Sequence, residues 1–148
     1  MLERAVLITN NPNLSRWVFP KRPIVGKSNH DVSAPAESVV MVEGSALDVL
    51  MFVRDAVHLG SRLLTHPLCG NLRPYQQPFR SVLINKQKNM DSTVDLESLL
   101  MIEEAVLVYR GCGFALPLPA NLPDAAREDY ALVDAELMRE SLTQYGLL

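Results

Sequence analysis

The chain has 148 residues with 48% apolar and 21% charged side chains and a formal net charge of −3. That length fits one domain over residues 1–148 with core enough to fold without disulfide or metal staples. The two cysteines, Cys69 and Cys112, are too few for a disulfide framework, and no apolar run approaches a membrane span. The expected setting is the reducing cytoplasm, since the opening Met-Leu-Glu-Arg-Ala-Val-Leu-Ile reads as a strand rather than an export signal.

Arg4–Thr9 is a short apolar run stopped by Asn10-Asn11-Pro12-Asn13, a strand followed by a turn. Residues 16–37 carry Trp17, Pro20, Pro23, Gly26 and Pro35 without a clear period and read as an irregular excursion. Ser38–Val42 is a second apolar run, of the kind found in strands covered on both faces. Ser45 then caps a helix with Asp48 at its third position, a capping-box variant. Ala46, Val49, Leu50, Val53 and Val57 form one apolar stripe along it, and Gly60 stops it.

Arg62–Thr65 reads as a further short strand leading into Thr65-His66-Pro67-Leu68-Cys69-Gly70-Asn71. Ser81–Asn85 is the next strand. Asp91 or Ser92 is expected to cap a helix running to about Arg110, buried on much of its surface because Leu96, Leu99, Leu100, Ile102, Val106 and Leu107 recur along it. After a proline-rich connector, a last helix spans about Asp124 to Tyr145, with Tyr130, Leu132, Val133, Leu137 and Met138 as its apolar face. The order predicts a small single-domain α/β sandwich with a mostly parallel sheet of about four strands and three main helices.

Charge is uneven along the chain. Residues 54–90 carry a net +5 and residues 91–148 a net −8. Converging basic segments would favour an anionic ligand; equally, they could face the acidic helices of the same molecule. Ligands of open α/β sheets bind outside the carboxyl ends of strands. Three segments hold that position: Asn10-Asn11-Pro12, Glu43-Gly44-Ser45, and Thr65-His66 through Arg73. The first can be a turn alone and Ser45 a cap alone.

The third segment is richest in chemistry. His66 is of the side-chain type suited to proton exchange in catalysis, Gly70 admits close backbone approach, and Arg73 can grip a carboxylate or phosphate. The same histidine can serve only to form a turn, and Cys69 can be a small apolar residue. His30, His58 and His66 lie apart, which argues against a metal site, and no cofactor is expected. The Walker, Gly-x-Gly-x-x-Gly and Gly-x-Ser-x-Gly patterns are absent. The acidic total and the lack of aromatic residues among basic ones argue against nucleic acid.

The stretch from Arg62 to Leu83, with its Thr65-His66-Pro67-Leu68 run, resembles the signature region of the GrdX family. Those are small proteins encoded with the glycine, sarcosine and betaine reductase systems of amino-acid-fermenting anaerobes. Leu7–Pro12, Ile102–Ala105 and Glu128–Asp134 agree with the resemblance. A serine often stands in the family where this chain has Cys69, which counts against a thiol mechanism. The resemblance implies a role beside an amino-acid reductase, with its subunits as partners, and carries no reaction.

The sequence thus supports three readings and no oligomeric state. The first is an accessory protein binding a small anionic metabolite, with Asn10, Asn11, Thr65, His66, Gly70 and Arg73 lining one pocket. The second is a small enzyme with His66 as general acid/base. The third is an adaptor for reductase subunits.

Overall fold

A computed structural model describes residues 4–18, 38–70, 73–85 and 93–148. In chain order the elements are β1 (Ala5–Thr9), α1 (Pro12–Trp17), β2 (Val39–Met41), α2 (Ala46–His58), β3 (Ser81–Asn85), α3 (Leu96–Arg110) and α4 (Asp124–Gln144). Single 3-10 turns stand at Pro74–Gln76 and Pro119–Asn121. The α/β class and the positions of β1, β2, β3, α2 and α4 agree with expectation.

The sheet differs. Among the described residues it has three strands in the order β2-β1-β3, with β1 parallel to β2 and antiparallel to β3. The expected fourth strand contributes one isolated bridge, Leu63 to Ile84. Two further bonds hold it there: Leu64 N–H donates to the Leu83 carbonyl at 2.8 Å, and Asn85 N–H to the Arg62 carbonyl at 3.0 Å. Being antiparallel to β3, this segment runs the same way as β1. The reversed strand between them makes the sheet mixed rather than mostly parallel. Continuous apolar runs report burial on both faces, not direction.

Burial on both faces is what the sheet has. Val6, Ile8, Val82 and Ile84 point to one side, where they pack with α2 and α3. Ala5, Leu7 and Leu83 point to the other, against Leu14 and Val18 at α1 and Ala135, Met138 and Leu142 of α4. The stripe read on α2 is the buried one, residue for residue. Its cap is a full capping box: the Ser45 hydroxyl accepts from Asp48 N–H, and the Asp48 carboxylate accepts from Ser45 N–H at 2.7 Å.

Four local expectations are corrected. Asn10-Asn11-Pro12-Asn13 does more than turn the chain. Asn11 caps α1 through a 3.0 Å bond from Asn13 N–H, with Pro12 preset for the first helical position. The rest of the irregular excursion, 19–37, lies outside the described residues. Asp91 and Ser92 lie outside them too, and the observed cap of α3 is Asp95, which accepts from Ser98 N–H at 3.0 Å. Leu96, Leu100 and Leu107 stand in solvent, so α3 is covered on one side only, through Ser98, Ile102, Ala105, Val106 and Tyr109. On α4 the buried stripe is Ala131, Ala135, Met138 and Leu142, while Leu132, Val133 and Leu137 are exposed. Small alanines let that helix approach the turn after β1, a requirement that side-chain size alone conceals.

Candidate functional site

Asn10 sits where three loops meet. Its Nδ2 donates to the Gly44 carbonyl at 3.1 Å and the Pro78 carbonyl at 2.9 Å, and its Oδ1 accepts from Arg80 N–H at 2.9 Å. The loops after β1 and β2 and the approach to β3 are thereby clamped at one end of the sheet. Gly44 is held at φ +117°, where a Cβ would collide with the Asp48 carboxylate that completes the α2 cap.

Asn11 is fully buried and equally engaged. Its Nδ2 donates to the Ala131 carbonyl at 2.8 Å and to Asp134 Oδ2 at 2.9 Å. Asn11 N–H donates to Thr9 Oγ1 at 2.9 Å, the Thr9 and Ser81 hydroxyls lie 2.7 Å apart, and Ser81 donates to Asp134 Oδ2 at 2.7 Å. A closed ring of hydrogen bonds therefore joins β1, β3 and α4. Burial pushes the Asp134 carboxyl above the usual carboxylate range, opposed by the bonds from Asn11 and Ser81 and by the Arg80 charge.

Arg80 is a buried cation with neutral direct partners. Its Nη2 donates to Tyr109 Oη at 2.7 Å and to Gln77 Oε1, and its Nη1 donates to the Cys69 carbonyl at 2.6 Å. Burial raises the Tyr109 hydroxyl, against the pull of the guanidinium. These contacts pin the loop carrying His66 and Cys69 to the sheet. Neither Arg80 nor Asp134 stood out in the sequence reading, although both fall within stretches that carry the family resemblance.

Of the six site residues anticipated from sequence, Asn10 lines one cavity among the described residues and Thr65 and His66 line another. Asn10 lines a cavity of about 540 Å³ with Pro12, Val42, Glu43 and Gly44, closed by Leu118, Pro119, Ala120 and Arg127. Thr65 and His66 line another, of about 400 Å³, with Arg62, Asp95, Ser98 and Tyr145. The two have no lining residue in common, and β3 stands between the segment that precedes His66 and the β1–β2 pair.

His66 is exposed, and its Nδ1 accepts from Leu68 N–H at 3.0 Å, closing the His-Pro bend. Thr65 Oγ1 accepts from Leu83 N–H at 3.0 Å, a bond along the edge of β3. Gly70 has φ +113°, and a Cβ there would press on Gln77 and Leu137. Arg73 is an exposed turn residue whose N–H donates to Gln76 Oε1 at 3.2 Å. No group of three or more His, Cys, Asp or Glu side chains among the described residues could hold a metal. No described helix is long and apolar enough to cross a membrane.

The larger cavity has a topological origin. The parallel neighbours β1 and β2 send their following helices to opposite faces of the sheet, α1 toward Leu7 and α2 toward Ile8. Their outgoing loops separate and leave a crevice beyond the carboxyl ends, the arrangement that binds ligands in open α/β folds. Its walls are mainly apolar, with Glu43 and Arg127 as the charged members. Its volume falls within the range of small-molecule sites, about 300–1,000 Å³. Asn10 and Glu43-Gly44 stand at this rim as the sequence leads one to expect, whereas nothing local on α4 announces which cavity Arg127 reaches.

Compared with protein families, the chain matches the model described as GrdX-like protein over residues 6–143. No curated protein and no solved structure matches it.

Proposed function

The chain belongs to the GrdX-like family, and on that premise we propose that it is an accessory protein of glycine-reductase-type systems that binds a small anionic metabolite in the β1–β2 crevice. The observation that supports this reading is the divergence of the two loops beyond adjacent parallel strands, with an arginine on the wall of the resulting cavity. An arginine beside apolar walls attracts an anion while the low-dielectric surroundings strengthen that attraction. Asn10 holds the crevice open as a clamp, since both its amide hydrogens are spent on the Gly44 and Pro78 carbonyls.

The experiment is isothermal titration of the full chain with glycine, betaine, acetyl phosphate, phosphate and longer carboxylates, repeated on Ala120→Trp, which fills the crevice. A saturable heat with at least one anion, abolished by the tryptophan, supports the reading. Silence across the whole panel in a folded protein removes it.

A further inference from the structure

The outward face of α3 carries more hydrocarbon than the fold uses. Leu96, Leu100 and Leu107 are 66%, 62% and 67% exposed, and Val108 beside them is 41% exposed. They lie away from the buried row of Ser98, Ile102, Ala105, Val106 and Tyr109, so α3 is already seated without them. Single exposed leucines are ordinary, but several along one helix face mark an interaction surface. Leu100 and Leu107 stand seven residues apart at the middle of this face, the spacing by which one helix meets another lengthwise.

Charge distinguishes the two flanks of these leucines. On one side Glu97 and Glu104, also seven residues apart, are exposed, and neither makes an ion pair among the described residues. On the other side Glu103 is held by Arg54 Nε at 2.6 Å and by His58 Nε2 at 3.1 Å, so its charge is already met. We propose that this face docks an amphipathic helix of a partner protein, whose apolar stripe covers Leu96, Leu100 and Leu107 and whose lysines or arginines lie against Glu97 and Glu104. A second copy of this chain fits less well. Stacking Leu100 on the twofold-related Leu107 brings Glu104 beside the Glu104 of the other copy, and that flank of α3 holds no cation to separate them. An acidic helix meets the same repulsion.

The test is an amide-resolved NMR titration of the full chain with two synthetic three-heptad peptides. Both carry leucine at the a and d positions; one carries lysine at e and g, the other glutamate. Saturable shifts at Leu100, Glu104 and Leu107 are expected with the lysine peptide, and the glutamate peptide should bind at least tenfold more weakly. Leu100→Ser/Leu107→Ser changes exposed positions only, so it should keep the fold and weaken the lysine peptide at least tenfold. Glu97→Lys/Glu104→Lys should reverse the preference between the peptides. Equal affinity for the two peptides overturns the charge assignment and with it the class of partner. Binding that survives Leu100→Ser/Leu107→Ser, shifts confined to α4, or silence with both peptides overturns the site. Sedimentation of the native chain as a dimer, abolished by Leu100→Ser/Leu107→Ser, gives the face to a second copy and overturns the proposal. If that variant fails to fold, Glu97→Lys/Glu104→Lys decides, and an unchanged preference ends the proposal.

Discussion

Asn11 Nδ2 lies 2.9 Å from Asp134 Oδ2, tying the turn after the first strand to the last helix across 123 residues of chain. The same asparagine caps α1 through its Oδ1 and reaches the Ala131 carbonyl through its second amide hydrogen. One side chain thus starts a helix and docks another, so the strand-end geometry and the packing of α4 stand or fall together.

Replacing Asn11 by alanine strands the Asp134 carboxylate and the Ala131 carbonyl and removes the α1 cap. Expected destabilisation is about 2–4 kcal/mol from the sum of a lost cap and buried groups left short of partners. Urea unfolding of Asn11→Ala should show a lower midpoint at unchanged slope; a midpoint within error of wild type contradicts the assigned role.

Asp134 sets a pH dependence whose sign follows from the direction of its shift. Its folded carboxyl binds a proton more tightly than in the unfolded chain, chiefly through burial. The associated stability is therefore fully present below the unfolded value, near 3.8, and declines as pH rises through the higher folded value. Asp134→Asn keeps an oxygen to accept from Asn11 and Ser81 and cannot ionise. Its stability relative to wild type should rise between pH 4 and pH 7 in urea titrations at matched ionic strength. A parallel pair of curves refutes the buried-carboxylate account.

Arg80→Met removes a buried cation but leaves the Cys69 carbonyl, Gln77 and Tyr109 without their donor. The loss should be about 3–5 kcal/mol, because three acceptors each lose a bond to a charged donor worth about 1.5–3 kcal/mol, offset in part by no longer burying a cation. Arg80→Lys should recover little, because an ammonium cannot address three acceptors spread around a planar fork. Thermal unfolding of the two variants checks the order.

His66→Ala is expected to cost below about 1 kcal/mol, since the residue is exposed and contributes one bond to a turn. Ligand heats in the β1–β2 crevice should be unchanged in this variant, because His66 lines the other cavity. A ligand affinity that falls several-fold in His66→Ala, with folding intact, would place the imidazole in the site after all.

What the sequence determined by itself was local. The Ser45–Asp48 cap, the α2 stripe and the apolar runs of β1, β2 and β3 depend on neighbours within a few residues, so period and capping chemistry reveal them. The resemblance carried by Thr65-His66-Pro67-Leu68 was likewise legible without a fold. The tertiary structure alone decided that β3 runs against β1, that Ala131 and Ala135 rather than Leu132, Val133 and Leu137 join Met138 and Leu142 on the buried face of α4, and that Asn10 and His66 attend different cavities. Strand direction and cavity membership are properties of pairs of residues tens of positions apart. No periodicity along one segment encodes which distant segment will lie beside it. Arg127 shows this most sharply: its place beside Asn10 and Glu43 exists only because two neighbouring strands send their helices to opposite faces.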